Sequence, residues 1–282
     1  MQHSFLIVDR SVQIEHGVLS SLFRGFECDS ENRSAPGSCN QEPICSIGIA
    51  HEPAQHGVER LDSDFPISHV LALTRDRSAV LTADDYFEHA TVRADRTEGL
   101  MDLALVTIYS RLAYFRTVFV HGALVDVPGF GGIMFVGRSG VGKSTQAELW
   151  AKHAGAEIIN GDKVFLSLRE DAPGEVFAYG SPWRGSSPYR VNKRCSLRAI
   201  VDLKREDEKY VCLLQDTEAL AAYMPSVFMP NWDIRLTGAV METLDQMLPC
   251  VPIYRMSCEN SEAAVTMLRR ILAPDANVGK PS

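Results

Sequence analysis

The stretch GIMFVGRSGVGKSTQAELW, which runs from Gly132 to Trp150, contains the strongest structural signal in the sequence. Four apolar residues (133–136) lead into the spacing G-x-x-x-x-G-K-[ST] at 137–144, and a helical pattern follows. A strand, then a glycine-rich loop, then a helix is the context that the Walker A phosphate-binding loop requires. The sequence therefore predicts that this loop binds a nucleoside triphosphate.

Each residue type in the loop suits phosphate. Glycine lacks a Cβ atom, so backbone N–H groups can approach phosphate oxygens, and the start of the helix adds unpaired donors. Lys143, expected to be an exposed loop lysine, would reach the β- and γ-phosphates, and Ser144 would ligate Mg²⁺. Thr145 would contact the α-phosphate or cap the helix. The predicted nucleotide-binding residues are Ser139, Gly140, Val141, Gly142, Lys143, Ser144 and Thr145.

The composition is that of a soluble globular protein. The chain has 282 residues, of which 45% are apolar and 23% are charged, enough for one large domain or two smaller ones. The net charge of -8 argues against a nucleic-acid partner, because no basic patch is present to neutralise phosphates. We also expect no signal peptide and no membrane contact, because the apolar runs are too short.

The cysteines give a prediction about location. The chain has seven of them, without a C-x-x-C pair or a repeated His/Cys spacing, which argues against a zinc site. An odd number of cysteines is typical of reduced thiols. The sequence therefore predicts a cytoplasmic protein with free cysteines.

The pattern along the chain divides it into three parts. Residues 1–95 contain short strand-like runs without recognisable chemistry and predict a smaller, strand-rich N-terminal domain. A helical spacing over 97–115 opens the main domain, placed at 96–273, and the polar end at 274–282 is predicted to be disordered. Because one strand at 118–127 directly precedes the loop strand and further strands follow the loop helix, we predict an α/β fold with a mixed sheet.

Residues 120–166, VHGALVDVPGFGGIMFVGRSGVGKSTQAELWAKHAGAEIINGDKVFL, resemble the catalytic domain of HPr kinase/phosphorylase, a family that shares its nucleotide-binding fold with phosphoenolpyruvate carboxykinase. The sequence motifs that match the family are His121-Gly122, the loop 139–144 and Asp162. The later Arg184-Gly185 is similar to the family's Arg-Gly signature. The resemblance covers roughly 115–215. One departure stands out: the family has two adjacent aspartates, whereas Gly161 precedes Asp162 here.

The resemblance implies a P-loop kinase that uses ATP and Mg²⁺ to phosphorylate a serine hydroxyl of a peptide or small protein. The chain is too short for a carboxykinase. It is more similar to the small HPr-kinase-like proteins encoded with ribosomal peptide modification systems, some of which resemble lasso-peptide tailoring kinases that phosphorylate the precursor. The family also implies a homo-oligomer.

Candidate metal and catalytic acids follow from the loop's position. Asp162 comes after an apolar strand, which would place its carboxylate beside the phosphates, so Ser144 and Asp162 are the predicted Mg²⁺ ligands. The alternative is that Asp162 only forms a turn. Asp202 ends the run AIVD in the manner of a Walker B strand and is a rival acid. The family resemblance favours Asp162.

The remaining catalytic candidates are His121, Lys143 and Arg184. His121, in the middle of a predicted strand, would stabilise the γ-phosphate or act as the base instead of Asp162; otherwise it is a core histidine. Arg184, in a polar turn, suits the transferring phosphoryl group. The basic cluster Arg190, Lys193 and Arg194 would meet nucleotide or a peptide carboxylate, and we expect Trp183 to pack rather than stack on a base.

Two other functions fit the same residues. One is a kinase that acts on a small metabolite. The other is a non-catalytic regulator that binds a nucleotide, which the missing first aspartate at Gly161 suggests.

Overall fold

The computed structural model describes residues 2–15, 19, 23–28, 42–50, 63–72 and 79–272. They form a mixed α/β protein with two mixed sheets, which confirms the predicted fold at that level. The chain divides into two compact units, Met1–Thr117 with Pro230–Ala239 and Val118–Met229 with Val240–Ser282. The tail at 274–282, predicted to be disordered, lies outside the described residues.

The first unit contains a six-stranded sheet and one long helix. Its strands are β1 (Gln2–Ile7), β2 (Arg10–Glu15), β3 (Cys45–Ala50), β4 (His69–Ala72), β5 (Ala79–Ala83) and β6 (His89–Ala94), in the order β1-β2-β3-β6-β5-β4. The helix α1 (Thr97–Ala113) packs on β3, β5 and β6. These contacts place α1 with the first sheet, whereas the sequence had placed the domain boundary before this helix.

The second unit carries the larger sheet. Its strands are β7 (Thr117–His121), β8 (Ala123–Val127), β9 (Gly131–Val136), β10 (Glu157–Asn160), β11 (Lys163–Leu168), β12 (Val176–Gly180), β13 (Arg194–Lys204), β14 (Tyr210–Leu214) and β15 (Ile253–Ser257). The order is β10-β8-β9-β13-β12-β11-β7, and β15 pairs with β13 and β14. Because β9, β13 and β15 are parallel, their carboxyl ends lie at one edge, where ligands of α/β sheets commonly bind.

The other α-helices are α2 (Lys143–Ala154), α3 (Asp216–Tyr223), α4 (Ile234–Met247), which begins in the first unit and continues into the second, and α5 (Glu262–Leu272). α2 packs against β8, β9 and α5. Buried apolar residues fill the space between α2, α5 and the sheet, among them Phe135, Trp150 and Leu268. This core fixes both ends of the glycine-rich loop, because the loop joins β9 to α2.

The single strand predicted over 118–127 is wrong, because the chain forms two strands with different neighbours. β7 lies beside β11, whereas β8 pairs with β9 and β10. The change occurs at Gly122, whose N–H donates to the carbonyl oxygen of Asp162 (2.8 Å). His121 is therefore the last residue of β7, and not a mid-strand residue as predicted.

The cysteines differ from expectation at one position. Cys28 is disulfide-bonded, so the prediction of reduced thiols is wrong for this residue. Five other cysteines are free thiols: Cys45, Cys195, Cys212, Cys250 and Cys258. Among the described helices, none has both the length and the apolar character needed to span a bilayer.

Candidate functional site

The glycine-rich loop runs from β9 to the first residue of α2. Gly137, Gly140 and Gly142 have φ values of 128°, 75° and 116°, a region that favours glycine. A Cβ atom at Gly137 would also lie 2.9 Å from the carbonyl oxygen of Leu203. Since Gly142 has no side chain to cap α2, the first N–H groups of the helix remain available to an anion.

Lys143 differs from the exposed loop lysine that the sequence predicted. It is only 7% exposed, and its Nζ donates to the carbonyl oxygens of Gly137 (3.1 Å) and Arg138 (3.3 Å). Burial lowers the pKa of Lys143, and the charge of Asp162 opposes that change. The ammonium group is thus held by the main chain of its own loop.

Ser144 connects the loop helix to the segment that bears the candidate acid. Its Oγ donates to the carbonyl oxygen of Gly161 (3.3 Å), which follows β10 and directly precedes Asp162. The two predicted Mg²⁺ ligands therefore lie on segments that contact each other. A hydroxyl and a carboxylate are oxygen ligands of the kind that Mg²⁺ prefers, so the donor set fits this ion.

Asp162 and His121 form a close pair. His121 Nδ1 lies 3.1 Å from Asp162 Oδ1, and the two side chains are 34% and 21% exposed. The hydrogen bond from His121 lowers the pKa of Asp162; burial opposes this effect, and the charges of Lys163 and Lys143 add to it. Asp162 is therefore ionised at neutral pH and can accept a proton or bind a cation.

The Arg184-Gly185 pair reaches Asp162 through its glycine. A Cβ atom at Gly185 would lie 2.5 Å from Asp162 Oδ2, so the backbone of this turn packs directly against the carboxylate. Arg184 Nη1 instead donates to the carbonyl oxygen of Ser187 (2.9 Å), within its own turn. The structure thus places the turn beside the predicted site while the guanidinium group stabilises the turn.

The missing aspartate at Gly161 has a structural explanation. A Cβ atom at Gly161 would lie 1.9 Å from Ser187 Oγ and 2.6 Å from Ser187 Cβ. Ser187 is buried, and its Oγ accepts a hydrogen bond from the N–H of Tyr189 (3.2 Å). The serine occupies the space that any side chain at 161 would need.

Asp202, the rival acid, is bound by two cations. It is fully buried, and its Oδ2 lies 3.0 Å from Lys204 Nζ and 3.3 Å from Arg255 Nε. In the parallel pairing of β9 and β13 it lies beside Val136, the residue before the loop. Asp202 is thus near the loop in the sheet, and its Oδ2 is paired with two cationic side chains. Its buried Oδ1 has no hydrogen-bond partner among the described residues.

The predicted basic cluster is divided among different neighbours. Lys193 Nζ lies 2.7 Å from Asp126 Oδ2 and 2.6 Å from Glu157 Oε2, and Arg190 Nη1 donates to the carbonyl oxygen of Pro182 (3.2 Å). The guanidinium group of Arg194 lies 5.6 Å from the ring of Phe177. The three side chains therefore have different neighbours: two carboxylates for Lys193, a carbonyl oxygen for Arg190 and an aromatic ring for Arg194.

Sequence reasoning missed two residues and was right about a third. Trp183 is 3% exposed, which confirms that it packs. Ser187, which fills the space over Gly161, was not recognised, because no local pattern shows which side chain faces a glycine. Asn160 was not singled out in the sequence either, yet it is fully buried and hydrogen-bonded to two segments. An apolar strand that ends in asparagine was the available signal.

The comparisons with known proteins give a distant likeness. No protein-family model matches the chain, and no curated protein matches it in sequence. Among solved structures, the Hpr(Ser) kinase/phosphatase from Coxiella burnetii is similar with a TM-score of 0.32 and 12% sequence identity. The similarity covers 54% of this chain and 94% of that chain.

Proposed function

We propose that this chain is a kinase that uses ATP and Mg²⁺ to phosphorylate a serine hydroxyl of a peptide or small protein. The observation that carries the proposal is the bond between Ser144 Oγ and the Gly161 carbonyl oxygen, which joins the Walker A helix to the segment bearing Asp162. Phosphoryl transfer needs groups that position the phosphates and an acid group that binds the metal or takes the proton, and a phosphate-binding loop beside an ionised carboxylate provides both.

The roles of the residues follow from their chemistry. The N–H groups of the loop and the start of α2 would hold the phosphates, and Lys143 would exchange its carbonyl partners for the β- and γ-phosphate oxygens. Ser144 and Asp162 would hold Mg²⁺, which neutralises charge on the phosphates when it is bound. Arg184 would stabilise the transferring group after leaving the carbonyl oxygen of Ser187.

Phosphoryl transfer also needs a group that takes the proton of the acceptor. A bond forms between the serine oxygen and the γ-phosphorus as the bond from that phosphorus to its bridging oxygen breaks, and the serine proton passes to a base. Asp162 is ionised and His121 Nδ1 is hydrogen-bonded to it, so either residue can take the proton directly or through the other. We favour Asp162, with His121 orienting its carboxylate.

The class of acceptor rests on the family resemblance over 115–215. The same resemblance leads us to propose a homo-oligomer, which light scattering of the purified chain would test. A ribosomal precursor peptide, of the lasso type, is the acceptor that we propose to examine first.

A nucleotide-binding regulator without transfer activity is the second candidate. It is favoured by one observation: Ser187 leaves no room for the first aspartate at Gly161, so the site has a single carboxylate there. Such a protein would bind ATP through the loop without turning it over.

One experiment separates these functions. The purified chain is incubated with Mg²⁺, ATP and either serine-containing peptides or small hydroxyl metabolites, and the products are identified by mass spectrometry. The proposal expects phosphoserine in peptides. Phosphorylated metabolites alone would support a metabolite kinase, and nucleotide binding without transfer to any acceptor would support the regulator.

A further inference from the structure

Asn160, the last residue of β10, uses every hydrogen-bonding position of its side chain. Its Oδ1 accepts from the N–H groups of Asp162 and Lys163, both at 2.9 Å. Its Nδ2 donates to the carbonyl oxygens of Ser181 (2.9 Å) and Trp183 (3.1 Å). An asparagine amide has two acceptor and two donor positions, so this fully buried group is satisfied.

These four bonds join two segments that are far apart in the sequence. One segment is the turn that carries Asp162, and the other leads into the Arg184-Gly185 turn. Ser181 adds a second link, because its Oγ lies 2.7 Å from the carbonyl oxygen of Lys163. The bonds therefore connect the two segments independently of any ligand.

The connection determines what surrounds the Asp162 carboxylate. Gly185 packs against Oδ2, and His121 Nδ1 lies 3.1 Å from Oδ1. Asn160 holds the main chain on which Asp162 is mounted and also holds the segment that brings Gly185 to it. A change in the Asn160 bonds would thus move the carboxylate relative to one of its two neighbours.

We propose that Asn160 is a positioning residue for phosphoryl transfer, which keeps Asp162 and the Arg184-Gly185 turn at a fixed separation. This inference rests on the proposed kinase function. Asn160 does not touch the reacting groups, since its amide is enclosed by main-chain partners, and it acts through the two segments that it joins. Groups that support the orientation of a catalytic residue affect rate more than binding of the substrate.

The test uses two substitutions of Asn160. Asn160→Asp keeps the acceptor oxygen for Asp162 and Lys163 but places a second oxygen against the carbonyl groups of Ser181 and Trp183, whereas Asn160→Ala removes all four bonds. For both we expect kcat to fall roughly 10- to 100-fold. KM for ATP should stay within about threefold, because the Walker A loop is unchanged.

Two further measurements separate positioning from a purely structural role. Amide hydrogen exchange in 181–187 should become faster in both variants, because the turn loses its attachment. Ser181→Ala, which removes only the second link, should give a smaller fall in kcat in the same direction and serves if the Asn160 variants do not fold. Asn231→Asp makes the same chemical change at an exposed residue and should leave kcat unchanged.

The outcomes are distinct. Active wild type together with folded Asn160 variants of unchanged kcat would overturn the positioning role alone. A loss of total activity that matches the loss of folded protein, with normal kcat in the folded fraction, would also overturn it, because a merely structural residue behaves in this way. An absence of transfer by the wild type would contradict the proposed kinase function, and the role of Asn160 with it.

Discussion

Substitution of Gly161 by alanine tests whether Ser187 fills the space of the missing aspartate. The backbone at Gly161 lies outside the positive-φ region, so alanine adds no backbone strain there. The added Cβ atom would lie 1.9 Å from Ser187 Oγ and 2.6 Å from Ser187 Cβ. Relief of these contacts requires Ser187 to move by more than an ångström and to lose its bond from the N–H of Tyr189.

Overpacking of this kind costs about 1–3 kcal/mol. In a protein of this size, each 1 kcal/mol lowers the melting temperature by about 2–4 °C. Urea unfolding of wild type, Gly161→Ala, Ser187→Gly and the double variant measures the effect. Because Ser187→Gly removes both clashing atoms, the double variant should be more stable than the sum of the single changes predicts, by at least about 1 kcal/mol.

Gly238 provides the matched control, since a Cβ atom there would meet nothing within 4 Å in the helix α4. Gly238→Ala should be neutral or stabilising by up to about 1 kcal/mol. A Gly161→Ala protein as stable as wild type, or additive effects in the double variant, would refute the steric argument. Gly161→Asp should likewise fail to increase transfer, because the site has no room for its side chain.

Three more substitutions have expected outcomes. Lys143→Ala should lower the rate of transfer by roughly a hundredfold or more. It should lower the free energy of unfolding by less than about 2 kcal/mol, because the Lys143 Nζ donates to carbonyl oxygens of its own loop. Normal transfer would contradict the assignment of the phosphate-binding loop. His121→Ala removes the hydrogen bond that lowers the pKa of Asp162, so the acid-side fall in kcat should move to higher pH. In the wild type this bond adds stability above the ordinary Asp pKa, and that stability is lost as pH falls through the lowered pKa. The His121→Ala protein should lack this contribution. A kcat profile identical to wild type would exclude that coupling. Asp202→Asn should reduce the free energy of unfolding by about 1–3 kcal/mol, because it weakens the ion pairs that Lys204 and Arg255 form with Asp202. The partial exposure of these two cations limits the loss. If Asp202→Asn lost more transfer than Asp162→Asn, Asp202 would be the metal-side acid.

Local patterns were sufficient for the elements that have strong periodicity. The helix predicted over 97–115 is α1 (Thr97–Ala113), because its apolar spacing belongs to a largely buried helix. The apolar run 133–136 lies within β9, and the glycine-rich loop leads into α2 as the motif required. These features depend on residues close together in the sequence.

The features that the sequence did not predict depend on partners far along the chain. The strand 118–127 breaks at Gly122 because Asp162, forty residues later, accepts its N–H bond. Lys193 leaves the basic cluster because Asp126 and Glu157 lie within reach of its Nζ. No periodicity records such tertiary contacts.

A comparison of single-turnover phosphoryl transfer with and without the Asp162 carboxylate tests whether this site is a kinase site. Wild type and Asp162→Asn are mixed with Mg²⁺, labelled ATP and a serine-containing peptide that the wild type accepts, and the labelled peptide is followed in time. We expect transfer by the wild type and a loss of roughly a hundredfold or more in Asp162→Asn, while the substituted protein still binds ATP. Equal rates in the two proteins, or no transfer by the wild type to any peptide, would contradict this expectation.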